Sequence, residues 1–453
     1  MARSFDRRFA RTALPWGGLA DVVSAVLITT AIFVVATGGF TVRPLGYRLA
    51  VHDPWRPLLV ACAITVVRLI VTRKSLWLAH LLAVGLLVQA VAAHYQPGVG
   101  FTDLITFGTR FQDRALLVVQ ATPHHIGEGP GYDGQFYAQL AVDSWLRDPA
   151  LADALDNAGY RARRILFSWT AYVLGLGRPW WVLQAYAVQN VLCWLILAWL
   201  LTRWFKLRDL RAFALWFGCL FADGLIASVR FALLDGPSLL LIALVVVAAE
   251  RGRHWAASGL LALAGLGREA NLIAGVALLR PRWWKRREAL TTMAQGLLAV
   301  LPLVLWLAYV RWGAGFKMSL GGFNFAWPFV SYVAKWKVTV SELASEEFSS
   351  SARFSLYALV SLTTQAVFLS IRRNRQSPWW RVGAASIVLM AFLGPAVWTG
   401  DPGAVTRAVM PMTVAFNVLL IRERWFWPLF VLGNLTILGG LETLRVPWLS
   451  AHL

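Results

Sequence analysis

Long apolar runs separated by short basic links dominate the chain, and this pattern predicts helices of membrane-spanning length. A span needs about twenty apolar residues to bridge a hydrocarbon core of about 30 Å. Runs of roughly that size lie near 18–38, 57–72, 76–93, 180–202, 212–229, 236–250, 290–310, 354–371, 382–399, 404–421 and 425–441, which predicts about eleven crossings. Two stretches do not fit. "ILFSWTAYVLGLG" at 165–177 rises only about 20 Å as a helix and is too short to cross unaided. The stretch 255–280 begins and ends beside basic links, so it is predicted as a hairpin of two short helices turning at "GREAN", 267–271.

Composition agrees with the pattern. At 58% hydrophobic and 15% charged residues, the chain is too apolar for a soluble globule and reads as an all-α, polytopic transmembrane helical bundle. A net charge of +20 would suggest nucleic acid in a soluble protein. Here the Lys and Arg residues cluster in the links, where the positive-inside bias explains them, and no nucleic-acid partner is expected.

The same bias orients the spans. Arg3, Arg7, Arg8 and Arg11 place the N-terminus, read as an uncleaved first span, in the cytoplasm. The links holding Arg73 and Lys74; Arg203, Lys206, Arg208 and Arg211; Arg251 and Arg253; "RPRWWKRRE" at 280–288; Arg372, Arg373 and Arg375; and Arg422 and Arg424 then all fall inside. The expectation is one transmembrane domain over 1–453, multi-pass in the inner (plasma) membrane, with outer loops at 94–164 and 311–352. Trp145, Phe323, Phe325, Trp327 and Trp336 in those loops suit interfacial helices at headgroup depth. Cys62, Cys193 and Cys219 lie in apolar runs and read as packing residues.

Four polar clusters come out on the outer side in this topology: Asp133 in "GPGYDGQFYAQL"; Arg161, Arg163 and Arg164 in "YRARR"; Asp235 with Arg230; and Asp401 with Arg407. Arg268 and Glu269 occupy the hairpin tip. Arginine offers a fork of donors to a phosphate, and aspartate can orient a hydroxyl or take its proton, so the set suits a phosphate-bearing substrate and a reacting hydroxyl. Each residue also has a plainer reading. Asp133 can cap an interfacial helix, and Asp235 precedes a helix whose first turn holds Pro237. The arginines can meet lipid headgroups, and Arg268 can simply pair with Glu269. His124, His125 and Glu128 invite a metal reading, but adjacent histidines are poorly placed to share one ion, and no metal is expected there. No nucleotide-binding glycine loop, Ser-His-Asp spacing or HExxH helix is present in the sequence.

In plan, over most of its length, the chain resembles the GT-C superfamily of membrane glycosyltransferases that use polyprenyl-phosphate sugars, most of all bacterial members acting in cell-surface glycopolymer formation. The resemblance rests on "GYDGQFY", "YRARRIL", "LLDGPSLLL", "LGREANLI" and "TRAVMP". Two features depart from it: the acidic loop follows the third predicted span instead of the first, and no C-terminal outer domain is present in the sequence. The resemblance implies that Asp133 deprotonates an acceptor hydroxyl, with the sugar inverted. It gives Arg161, Arg163, Arg164, Arg268 and Arg407 the donor phosphate, and leaves Asp235 either orienting the acceptor or binding a divalent cation. Tyr132, Gln135, Phe136 and Tyr137 would face sugar or prenyl chain. The partners implied are a polyprenyl-phosphate sugar, a glycan or lipid acceptor, and membrane lipids. The competing expectation is a transporter or flippase of lipid-linked saccharides, which calls for ionisable residues at the midplane and related, interrupted halves. Arg68 is the main midplane charge in the sequence and no repeat is visible.

Overall fold

A computed structural model describes residues 14–37, 39–42, 49–72, 76–206, 209–279, 286–317, 323–344, 349–400 and 404–444. Arg3, Arg7, Arg8, Arg11, Arg73, Lys74, Arg208, Asp401 and most of the 280–288 link lie outside the described residues, as does the side chain of Arg68. The protein is mostly helical, 72% helix against 3% strand.

The spans are less uniform than the hydropathy pattern predicts. Among the described residues, three helices are long and apolar enough to cross a membrane, Pro179–Leu201, Glu288–Gly313 and Ser350–Ile371. A fourth is gained if Leu210–Leu220 and Asp223–Arg230, bent by 48°, count as one span. Several of the other runs form shorter helices. Asp235–Glu250 has 16 residues, a rise of about 24 Å. The run near 382–399 is divided into Pro378–Phe392 and Pro395–Trp398, where proline begins a new helix but cannot continue the old one. The last two runs break at Val409 and Asn434.

The chain divides into two compact units. In the first, built from Met1–Ala93 and Leu201–Phe217 with a C-terminal piece outside the described residues, helices Leu14–Thr37, Trp55–Thr72 and Leu76–Ala92 bury Ile28, Ala31, Leu58, Ala61, Leu78 and Leu82 against one another. A short antiparallel pair joins Phe40–Val42 to Leu49–Val51.

The second unit spans His94–Leu200 and Gly218–Leu444 and holds every candidate site residue that is described. Its helices are cross-linked by buried amides. Gln365 donates to the Gly433 carbonyl at 2.7 Å and accepts from Thr413 at 3.1 Å, while Asn417 and Asn434 exchange hydrogen bonds. Such pairings satisfy polar groups that would otherwise cost a few kcal/mol each in an apolar interior.

The stretch 94–164 corrects the expectation of a surface helix after Asp133. Helix Gly134–Val142 is buried along residues 134–141. Its two glutamines serve as clamps for the loops around it: the Gln135 carbonyl oxygen accepts from the Gly108 N–H, and that of Gln139 from the Leu116 N–H. By contrast the stretch 311–344 does expose Trp312, Phe323, Phe325 and Trp327, followed by helix Val330–Leu343 with Val330, Val333, Val338 and Val340 exposed.

Candidate functional site

Asp133 sits where the chain enters helix Gly134–Val142, the capping position expected from the sequence, yet its side chain caps no helical N–H. It reaches Arg161 instead, at 2.8 Å. Gly134 makes this entry possible. A Cβ at that position would meet the backbone carbonyls of Phe231 and Ile105, so only glycine lets the helix start this close to two other segments. The Tyr132 N–H donates to the Thr106 carbonyl and fixes the other side of Asp133.

Arg161 ends the single-turn helix Ala158–Arg161, whose N-cap Asn157 accepts from the Tyr160 N–H. Its guanidinium grips Asp156 through two donors, at 2.8 and 2.7 Å, and spends a further contact on Asp133. This fork-on-carboxylate geometry holds the arginine still. Burial pushes the Asp133 carboxyl up, but Arg161 acts more strongly in the other direction by charge and hydrogen bond, helped by Arg407 and Arg164. The net result lies below the usual carboxylate range. Asp133 therefore stands as a carboxylate, with 40% of its side chain open.

Arg163 and Arg164 follow on the turn leading into helix Leu166–Leu174, the short apolar segment that the sequence marks as unable to cross alone. Both bind Glu269, Arg163 at 3.1 Å and Arg164 through two contacts of 2.9 Å. Two tyrosines organise the three arginines. The Tyr137 hydroxyl accepts from Arg161 at 3.4 Å and from Arg164 at 3.2 Å. The Tyr160 ring lies 5.6, 4.7 and 4.3 Å from the guanidinium carbons of Arg161, Arg163 and Arg164.

The hairpin tip delivers the next pair. Arg268 is extended, at φ −163°, between helix His254–Gly267 and the 3-10 segment Glu269–Leu278. The break sends consecutive side chains to different partners. Glu269 goes to Arg163 and Arg164, and Arg268 goes to Asp235. The expected Arg268–Glu269 pairing is thus replaced by two pairings that tie the hairpin to distant parts of the unit.

Asp235 is the first residue of its helix, with Pro237 in the first turn as expected, and its side chain is 8% exposed. It binds Arg268 and, at 3.5 Å, Arg407. Arg407 also donates to the Tyr132 hydroxyl at 3.3 Å, which brings this triad to the residue beside Asp133. Tyr132 stacks on Phe231 with ring centroids 4.6 Å apart and remains 37% exposed, while burial raises its hydroxyl pKa.

Several expectations are corrected. Gln135, expected to face a substrate, is instead 3% exposed, with its side chain bound to Gly108 and Pro130. Tyr137 and Phe136 are buried, at 2% and 5% exposure, and the former holds arginines from behind. Arg230 pairs with Asp103, at 3.8 Å, and not with Asp235. His125 also binds Asp103, at 3.2 Å, and His94 does so at 2.5 Å. His124 turns to Thr122 and Gln112, and among the described residues no three His, Cys, Asp or Glu side chains form a group able to hold a metal. The His94 hydrogen bond is the main influence holding the Asp103 carboxyl below its usual range.

Three acids take roles that the sequence does not disclose. Asp156 lies among small and apolar residues in "LADALDNAGY", with no mark to distinguish it from Asp153, three positions earlier. Glu269 stands out at the hairpin tip, but its partner Arg164 lies 105 positions away. Asp223 sits at the helix bend, where it accepts from Thr406 at 2.8 Å beside Arg407. An acid inside an apolar run, two residues after "LF", is the available signal for it.

Chemically, the site joins one partly open carboxylate to the buried guanidinium groups of Arg161, Arg163 and Arg164 and the partly buried ones of Arg268 and Arg407, within hydrogen-bonding reach of common partners. No family model, curated protein or solved structure matches the chain.

Proposed function

We propose that the protein is an integral-membrane glycosyltransferase of hexosyl or pentosyl groups. It takes a sugar from a polyprenyl-phosphate donor at the outer face of the membrane and passes it to a hydroxyl of a cell-envelope glycan or lipid. The observation that carries this reading is the meeting of Asp133 with Arg161, Arg163, Arg164, Arg268 and Arg407 through shared partners, although they come from four separate stretches of sequence.

In this reaction the acceptor oxygen bonds to the anomeric carbon, the bond from that carbon to the phosphate oxygen breaks, and the configuration inverts. Asp133 takes the proton from the acceptor. A carboxylate held below its ordinary range is a weak base, so the proton moves late, once the attacking oxygen has become acidic in an oxocarbenium-like transition state. The arginines take up the charge growing on the departing phosphate, and their fixed positions mean that little reorganisation is needed as it grows. Asp235 holds Arg268 and Arg407 in place. The apolar helices supply the lipid environment that a prenyl chain needs.

One observation favours a second reading, transport of a lipid-linked saccharide. Asp223 lies at the 48° break between Leu210–Leu220 and Asp223–Arg230, and interrupted helices with buried acids are a feature of transporters. The two readings separate in an assay with purified protein: release of polyprenyl phosphate coupled to a new glycosidic bond supports the transferase, and movement of an intact lipid-linked saccharide between leaflets supports the transporter.

A further inference from the structure

The Arg163–Arg164 pair is already occupied. Glu269 presents both carboxylate oxygens to Arg164 and one of them to Arg163, with distances of 2.9 to 3.1 Å. The two arginine side chains are 8% and 11% exposed, while Glu269 is 30% exposed. The acid therefore covers the guanidinium groups from the open side. Carboxylate and phosphate present the same geometry to an arginine fork, two oxygens accepting parallel N–H donors. Asp156 does something different with Arg161: it engages the guanidinium within five residues of sequence and leaves that same arginine able to reach Asp133.

We propose that Arg163 and Arg164 form the seat of a phosphate group and that Glu269 is a tethered stand-in for it, which the incoming phosphate displaces. This rests on the reading of the site as one for a phosphate-bearing donor and names the arginines that take the phosphate. The position of Glu269 suits the exchange. It opens a 3-10 segment directly after an extended residue, Arg268, whose own side chain is anchored on Asp235. Glu269 can leave the arginines by turning its side chain while the hairpin stays attached through Arg268. Displacement exchanges the single charge of the carboxylate for the single charge of the donor's phosphodiester, so the seat is compensated to the same degree in both states, and a second charge arrives only when cleavage leaves a phosphate monoester. The tethered acid then also sets selectivity: a neutral sugar lipid cannot dislodge it, because it offers no charge in exchange.

A ligand that competes with an internal group binds with an apparent affinity reduced by the fraction of time the seat is free. Removing the charge of Glu269 should raise that fraction. The test uses the full-length protein in phosphatidylcholine nanodiscs and measures thermal stabilisation by inorganic phosphate and, separately, by octyl phosphate. Glu269→Gln, which keeps shape and length, should bind phosphate on the order of tenfold more tightly than the unaltered protein. Glu269→Asp, which keeps the charge but withdraws it by one methylene, should gain less. Glu423→Gln, which removes an acid from the separate pair with Arg372, should gain nothing. A gain with both ligands identifies a seat for phosphate as such, and a gain with octyl phosphate alone identifies one for a lipid headgroup. No gain for either Glu269 variant with either ligand, or an equal gain for Glu423→Gln, overturns the proposal. Tighter binding without any sugar transfer would retain this seat and remove the transferase reading, so the two fail separately.

Discussion

Arg161 is shared by Asp156 and Asp133, at 2.7 and 2.8 Å from the same nitrogen, and this sharing sets the character of the site. One acid, gripped by the fork, fixes the arginine. The other, partly open, is held charged by an arginine that cannot move away.

Asp133→Asn should therefore remove the proton acceptor and leave the scaffold standing, because Arg161 keeps Asp156. Transfer should fall by about a hundredfold or more, the range for loss of a general base. Expression and detergent behaviour should stay close to those of the unaltered protein, with the melting temperature lowered only by the share that the charged Asp133–Arg161 contact contributes, and turnover by the purified variant checks the loss of transfer.

Asp235 should behave in the opposite way. Its side chain is 8% exposed and serves both Arg268 and Arg407, so Asp235→Ala leaves two cations, 21% and 11% exposed, without their shared acid. Breaking a buried pair in this manner costs about 3–5 kcal/mol, and the variant should unfold at lower temperature or fail to accumulate. Thermal unfolding of Asp235→Ala beside Asp133→Asn measures the contrast.

Gly134→Ala tests the approach of backbones behind the site. The new methyl group would press on the carbonyls of Phe231 and Ile105, neither of which is a flexible side-chain tip. The segment bearing Asp133 should be displaced, with hydrogen exchange of residues 131–137 accelerated and transfer reduced, while helices elsewhere in the unit keep their protection.

The acid dependence has a definite sign. The folded Asp133 carboxyl is held below its ordinary value, so the stability it contributes is fully present above about pH 4 and is lost as the pH falls through the lowered value. Between pH 5 and pH 8 Asp133 stays ionised. A pH profile of transfer should therefore show no acid limb from this residue in that window, and Asp133→Asn should leave unchanged any limb that does occur there.

The sequence made the helical, membrane-bound character legible because a run of about twenty apolar residues matches the thickness of a bilayer core and exceeds what one helix of a small soluble domain can bury. It was less informative on helix ends. Breaks before Pro395, at Val409 and at Asn434 divide runs whose mean hydropathy is continuous, and a hydropathy window averages across such breaks. The charged residues of the site were also legible, since acids and arginines beside apolar runs stand out. Their pairing was not. Arg268 and Glu269 are adjacent in sequence and part company only because Arg268 is extended, and Arg230 goes to Asp103 because residues 94–106 pack against its helix end. The buried state of Gly134–Val142 was hidden for a related reason. Gln135 and Gln139 look like a polar, wettable face, yet both side chains are consumed by backbone groups of neighbouring loops.

The most direct test of the account is a transfer assay of the purified full-length protein with a panel of polyprenyl-phosphate sugars and Asp133→Asn as the paired control. Inverted glycosidic product and free polyprenyl phosphate should form from at least one donor, and both should be lost in the variant. Equal turnover by the two proteins, or no turnover of any donor by a well-folded preparation that moves lipid-linked saccharide across the bilayer, would contradict it.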